Sequence, residues 1–538
     1  MSTIEYISPG VLSRIVRAFV VACSIVLLCG TVSPLHAGPP TGTLTGVSQL
    51  PVIRVALFER ISSPDPAQSG MYEPHNIASN VFETLVTSDS SGSIMPGIAT
   101  SWSASPDGIR WTFFIPEGRS FHDASPLDAY AVEFCFQRLI NPAHQLFRPY
   151  PDWKTQLFSH VNSIRALDAQ TLQIDLDKPY APLLHNLSTA AASIISPLSL
   201  QKYYDGESRI LAGSGSFKFA EFKTESVLLQ PSEYLPAAPQ VQVRFDYYRS
   251  EAVLSAYQQN KVDIITGLDQ SDETHLLSEN TATLLRHPQL SVLFLYCNGA
   301  RQNIRNIAVR RAISLSINRS QISGKAIGKN SVPAKGFLPP GLWATEPSLP
   351  PFEYNPKLAK DILAKAGLKD GIDLTVIQLA APRPFLPAPK RLASALKNSL
   401  LQAGIRLEFE FLDGEQFLTR MQNQDFDIAV YGWVSDTNDP DNLLSTHLYA
   451  GKENPHQRIA IDKLDQLILY GQSEQSLKKR MQYYSTAQYI IHKELPCIPM
   501  LHSKLPVIIR NTIKGVRISP VSFLVFRNAT VQPPPLQQ

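Results

Sequence analysis

The side chains able to do chemistry are thinly spread along this chain. It has twelve histidines, and no two stand four residues apart, the spacing that would turn two imidazoles on one helix face toward a shared metal. No pair of cysteines has metal-ligand spacing either. Gly213-Ser214-Gly215-Ser216 has the small residues of a phosphate loop or a nucleophile turn. It lacks the Lys-Ser/Thr ending of the one and the spacing of the other, so it reads as a tight turn feeding a strand at Phe217 to Phe219. Asp107, Glu117 and Asp123 lie close in sequence, but carboxylates in hairpin turns ordinarily cap or meet solvent, and nothing further supports a general acid/base pair. An enzyme whose residues assemble only in space stays open at this point, with no residue favouring it. Two more groups could bind rather than react. Asp436 lies in a run of Asp, Asn and Pro that by itself reads as a turn and N-cap, and Arg383, between prolines, by itself reads as a solvated loop residue. Trp433 alone reads as core.

Positioning such groups falls to a large chain. With 538 residues, 44% apolar and 18% charged, it can build two or more cores, which makes it multilobed. Its 49 basic and 46 acidic residues nearly cancel and form no stripe, which excludes a protein that reads phosphates by charge. Only one long apolar run is present, which excludes a polytopic membrane protein. That run, Ala18 to Cys29, follows Arg14 and Arg17 and is broken by Gly30, Ser33, Pro34 and Ala37, the order of a secretory signal peptide over residues 1–37. Lipidation at Cys23 is the second choice, because the apolar segment continues past it. Beyond the leader Cys135, Cys297 and Cys497 sit in apolar contexts and read as small buried hydrophobes, with at most one disulfide among them.

Along the chain, Ser105-Pro106-Asp107-Gly108 is a turn before a β-rich run, Ile109 to Ile115, and Pro126 is expected to open a helix with Leu127, Tyr130, Ala131 and Phe134 on one face. Asn306 and Asn355 are expected to cap helices. From there the pattern alternates: strand Ile372 to Leu379, helix Lys390 to Ala403, strand Ile405 to Phe411, a short helix about Phe417 to Met421, and strand Asp427 to Trp433. Such alternation predicts an α/β lobe. The first half carries more hairpin signals and is expected to be β-rich.

These motifs together resemble the family 5 extracellular solute-binding proteins, the peptide- and nickel-type receptors of ABC importers, from about Pro51 to Val531. The resemblance rests on Pro96-Gly97-Ile98-Ala99-Thr100-Ser101-Trp102, Ser105-Pro106-Asp107-Gly108, Trp111-Thr112-Phe113 and Gly118 with Phe121-His122-Asp123, in that order. Gly213-Ser214-Gly215-Ser216-Phe217, Cys297-Asn298, Val309-Arg310-Arg311-Ala312-Ile313, and Gly432-Trp433 with Asp439-Pro440-Asp441-Asn442 extend it. Within the family the chain is most similar to the dipeptide- and antimicrobial-peptide-binding branch. The cysteines usual after the aspartate loop are missing, so the loop from Thr446 to His456 is unbraced.

The resemblance implies an α/β fold, that of a two-lobed periplasmic binding protein of class II type, cluster C-like, with an extra β-rich subdomain in the first lobe. The implied division is 38–75, 191–297 and 498–532 for the first lobe, 76–190 for its extra subdomain, 298–497 for the second lobe and 533–538 for a disordered tail. The lobes would be joined near Leu293 to Asn298 and near Pro496 to His502. It implies a receptor without cofactor, metal or catalytic residues, working as a periplasmic monomer that hands a peptide to an ABC permease complex in the inner membrane and does not meet nucleic acid. Asp436 would hold the peptide's α-ammonium and Arg383 its carboxylate, with Trp433, Phe385, Asn298, Tyr72 and Glu73 completing the ligand-binding candidates. A non-peptide ligand, such as haem, a nickel chelate or an oligosaccharide, is the alternative within the family, and a secreted hydrolase the alternative outside it.

Overall fold

The computed structural model of the protein describes residues 50–89, 91–149, 153–233, 238–268, 270–278, 281–383, 385–386, 388–451 and 459–533. The leader over 1–37 with Cys23, the tail beyond Pro533, Pro384, Pro387 and the unbraced segment from 452 to His456 lie outside the described residues. From Leu50 on, the chain is one body.

Strand Val52–Leu57 buries Ile53, Val55 and Leu57 and lies inside a sheet, parallel to Gln242–Tyr247 on one side and to Ile264–Thr266 on the other. The hairpin Phe217–Lys223 and Ser226–Pro231 extends that sheet outward. A second sheet runs in the order Ile405–Leu412, Ile372–Leu379, Ile428–Val434, Ser291–Cys297, with the first three parallel and the last antiparallel to its neighbour. One strand, Cys497–Arg510, belongs to both sheets: it pairs Ser291–Cys297 at its start and Ala282–Pro288 and Ile264–Thr266 at its end. Two sets of cores follow. Ile53, Val55, Phe245, Val507 and Phe526 share one, while Leu295, Val309, Leu374, Leu392 and Val430 share another.

Local signals explain most elements. Asn306 and Asn355 accept from Ala308 N and Leu358 N at 3.0 Å and start helices Ile307–Ser316 and Pro356–Lys365. Ser105 to Gly108 turns strand Ser101–Ala104 into Arg110–Phe114, part of a four-stranded sheet completed by Thr171–Leu176 and Val161–Ala166. Helix Ala129–Ile140 covers that sheet and differs from expectation: Asp128, not Pro126, starts it by accepting from Ala131 N at 2.9 Å. Its buried face is therefore Ala131, Val132, Cys135, Phe136 and Leu139, and Tyr130 is left 54% exposed. The three cysteines stay thiols in buried sites, and burial pushes Cys135 up to about 11 and Cys297 up to about 12. Among the described residues no helix is long and apolar enough to cross a membrane.

The first passage between lobes lies at Pro288 to Ser291, ahead of the Leu293 to Asn298 segment, which is already paired inside the second sheet. There the two crossing strands are stitched by Gln289 N to Ser503 O at 3.1 Å and Ser503 N to Ser291 Oγ at 3.0 Å. His502 Nδ1 donates to Ser291 O at 2.8 Å, and burial pushes this imidazole down to about 4, so the hinge is a dry, neutral piece of sheet.

The Gly213-Ser214-Gly215 turn is built against the end of helix Tyr72–Val81. A Cβ on Gly213 would stand 2.1 Å from Val81 O, and Gly215 N donates to that oxygen at 2.9 Å. His122 ties the turn down, accepting from Gly213 N at Nδ1 and donating from Nε2 to Gly215 O. Gly213→Ala is expected to cost about 1–3 kcal/mol in urea unfolding, because the obstacle is backbone that cannot swing away. Ser214→Ala, whose hydroxyl is buried without a hydrogen-bond partner among the described residues, is expected to be neutral in the same measurement.

Candidate ligand-binding cleft

Both sheets end their parallel strands at the gap between the lobes. Val52–Leu57 leads into Glu59, Ile372–Leu379 into the turn that holds Arg383, and Ile428–Val434 into Asp436. Carboxyl ends of strands converging on one crevice are where ligands collect in open α/β sheets.

Arg383 is held by a tight turn in which Arg383 N donates to Leu386 O at 3.0 Å and Leu386 N to Arg383 O at 2.8 Å. Phe385 seats that turn on the neighbouring strand. Its ring lies over Gly432, where a Cβ would come within 2.3 Å of Cδ2, so only glycine leaves room for the aromatic. The guanidinium thus has a fixed place relative to the strand that carries Asp436. Across the gap, Arg383 Nη1 meets Glu59 Oε1 at 3.8 Å, both groups half-buried. Burial raises the Glu59 carboxyl above the usual range, against the pull of the Arg383 charge.

Asp436 is oriented by Asn442, in the first turn of helix Asp441–Leu448. One oxygen, Asn442 Oδ1, accepts from Trp433 Nε1 at 3.3 Å, Ser435 Oγ at 3.0 Å and Asp436 N at 3.3 Å. Ser435 N donates to Leu290 O at 2.7 Å, which ties the loop to the hinge. Asp436 itself is open to water between buried neighbours, Ser435 and Thr437. Loss of bulk hydration pushes its carboxyl up to about 6, against the stabilising bond from Asn442.

The other expected site residues stand elsewhere. Tyr72 donates its hydroxyl to Ser522 O at 2.6 Å and packs on Phe523, anchoring the C-terminal return. Glu73 accepts from Phe58 N and Glu59 N, each at 2.7 Å, and so fixes the strand end that presents Glu59. Asn298 lies at the opposite end of Ser291–Cys297 from Asp436, about 20 Å along the strand at roughly 3.3 Å per residue. Its side chain bonds Gln424 O, Phe426 O and Ala300 N. Trp433, Phe385, Arg383 and Asp436 are the expected residues that the fold brings to the gap. Glu59 and Asn442 join them and were not anticipated. Asn442 closes the quoted Asp439-Pro440-Asp441-Asn442 run, so its motif was visible while its three donors were not.

The family model of the bacterial extracellular solute-binding proteins, family 5 Middle, matches residues 93–455. The Dipeptide-binding protein of Escherichia coli (strain K12) is 23% identical over 466 residues, covering 82% of this chain and 86% of that protein. Heme-binding protein A of Haemophilus influenzae is 25% identical over 471 residues, covering 81% and 84%. Among solved structures, the periplasmic binding protein DppA from Helicobacter pylori, in complex with the peptide STSA, superposes with a TM-score of 0.77 at 26% identity, covering 90% of this chain and 99% of that one. The two-lobed α/β fold is shared with these receptors.

Asn442→Ala removes one acceptor from three donors at once. It is expected to cost about 1 kcal/mol in chemical denaturation, because the Trp433 indole and the Asp436 amide lose their acceptor while the Ser435 hydroxyl keeps its bond of 2.7 Å to Thr437 O.

Proposed function

This chain belongs to family 5 of the bacterial extracellular solute-binding proteins, a family of receptors and not of enzymes, and from that premise we propose that it captures short peptides in the interlobe cleft and delivers them to an ABC permease. The reading is carried by one observation: a carboxylate and a guanidinium, Asp436 and Arg383, sit at the ends of neighbouring parallel strands on one wall of the gap. A receptor for peptides of many sequences gains its affinity from what all peptides share. Asp436 takes the α-ammonium and Arg383 the terminal carboxylate through charge-assisted bonds. Exposed backbone along the cleft pairs with the extended ligand in the manner of strand addition, and water filling the side-chain pockets keeps them permissive. Before a ligand arrives, Glu59 is the partner of Arg383, and the ligand's carboxylate replaces it.

The names of the relatives support a peptide ligand, and their description as periplasmic proteins, with the basic-apolar-small order of residues 1–37, supports export to the periplasm. A second reading, haem, is favoured by the heme-binding relative. Calorimetric titration with dipeptides, tripeptides and haem separates the two, since haem has no ammonium for Asp436 to hold.

Asp436→Asn is expected to weaken free-amine peptides by about 3–5 kcal/mol and N-acetylated ones hardly at all, the cost of leaving a desolvated charge unpaired. Equal losses would make Asp436 a capping residue. The pH dependence has a definite sign. The ammonium needs an ionised Asp436, whose carboxyl in the unliganded cleft stands at about 6, so affinity is full above that pH and falls as the pH drops below it. N-acetylated peptides should not show this decline. Arg383→Ala is expected to abolish most binding of two- and three-residue peptides, with C-terminal amidation of the ligand mimicking the substitution. Longer peptides, advancing about 3.3 Å per residue, overshoot the arginine and should be indifferent to both changes.

A further inference from the structure

When a zwitterionic dipeptide binds, one charge of the cleft is left over. The strand ends at the gap carry, among the described residues, three charged side chains, Glu59, Arg383 and Asp436, which sum to one excess negative charge. The dipeptide gives its ammonium to Asp436 and its carboxylate to Arg383, and brings no net charge of its own. The excess therefore remains. It remains on Glu59, which the incoming carboxylate deprives of its partner.

The fold holds this carboxylate in place without satisfying it. Glu73, buried in the first turn of helix Tyr72–Val81, accepts from Phe58 N and Glu59 N at 2.7 Å each, which fixes the backbone beneath Glu59. The Glu59 side chain itself receives no hydrogen bond among the described residues. Its ion-pair contact, Arg383 Nη1, stands at 3.8 Å, outside hydrogen-bond distance. The next residue in the chain is engaged elsewhere: Arg60 Nε donates to Glu225 Oε1 at 2.8 Å, and its guanidinium lies 4.4 Å over the Tyr247 ring. Glu73, behind the strand end, is a second carboxyl and offers no relief. Lost hydration already lifts the Glu59 carboxyl, and Arg383 is the charge that opposes the rise. A half-buried carboxylate so placed is an acceptor for a cation that the ligand must supply.

We propose that Glu59 is a specificity-determining residue, the acceptor for a basic side chain on the C-terminal residue of the ligand, so that the cleft selects short peptides ending in lysine or arginine. The inference rests on the reading of the chain as a peptide receptor. The position in the ligand follows from the short span between Glu59 and Arg383: with the terminal carboxylate on Arg383, the side chain able to reach Glu59 belongs to the residue that carries that carboxylate. In an extended peptide the preceding side chain points to the opposite face and meets the other wall. An ammonium on its four-carbon stem, or a guanidinium, then closes the charge count, with two ligand cations on two carboxylates and one ligand carboxylate on one guanidinium.

Calorimetric titration with Ala-Lys, Lys-Ala and Ala-norleucine tests this. The first two share composition and net charge, so long-range attraction to an acidic cleft treats them alike, and the third keeps the carbon stem without the ammonium. Ala-Lys is expected to bind about tenfold tighter than either of the others, the effect of one bond between charged groups, and Glu59→Gln is expected to bring Ala-Lys to the level of Ala-norleucine. Should Glu59→Gln fail to fold, the wild-type comparison of Ala-Lys with Lys-Ala carries the test, with Ala-Glu expected to bind more weakly than Ala-Gln. If the protein takes tripeptides alone, Ala-Ala-Lys and Lys-Ala-Ala replace the first pair. Equal affinity for the two lysine peptides, or a preference for C-terminal lysine that survives in Glu59→Gln, overturns the subsite and leaves the receptor reading standing. A wild-type protein that binds none of a panel of di- to tetrapeptides overturns the receptor reading, and the subsite with it.

Discussion

One strand, Cys497–Arg510, is hydrogen-bonded into both sheets, and the rest of the molecule is arranged around that fact. A strand that enters one sheet antiparallel to Ser291–Cys297 and leaves through another beside Ile264–Thr266 makes the two lobes neighbours. It also dictates where they gape. The strand ends that carry Glu59, Arg383 and Asp436 are those nearest the crossing, so small bends in the hinge move charged groups against one another at short range, where their interaction changes steeply.

The cleft's electrostatics follow from partial burial rather than from a special residue. Glu59 and Asp436 each lose hydration to the surrounding protein, and both carboxyls rise for that reason. Arg383 is the guanidinium that answers Glu59 and is available for exchange. A ligand bearing both charges gives Asp436 a cation and Arg383 a carboxylate, so neither charge of the ligand is buried unpaired.

Legibility in the sequence divided along a physical line. Where a signal is local, it was readable: Asn355 as a helix cap, the β-branched run Ile372 to Leu379, and the alternation that makes the second lobe α/β all appear where the pattern put them. Asp128 defeated the helix-opening role of Pro126 because a side-chain oxygen in place outweighs a preset φ. The crossing point was not readable, since Ser291–Cys297 is buried throughout and an unbroken apolar run carries no mark of which sheet each half joins. Asn298 could be placed after a strand but not at the correct end of the sheet; Asn442 lies within nine residues of its three donors, but their convergence depends on how that loop folds, and Glu59 depends on Arg383, hundreds of residues away.

The odd number of cysteines has a consequence of its own. Disulfide exchange and oxidation both proceed through the thiolate, and two of these thiols sit so deep that ionisation is pushed two or more units up, while the third opens the strand shared by both lobes. Among the described residues an oxidising environment therefore finds no exposed thiol while the fold is intact. The sulfurs act instead as a record of unfolding: each becomes reactive only when its own core opens to solvent, Cys135 reporting on one and Cys297 on the other.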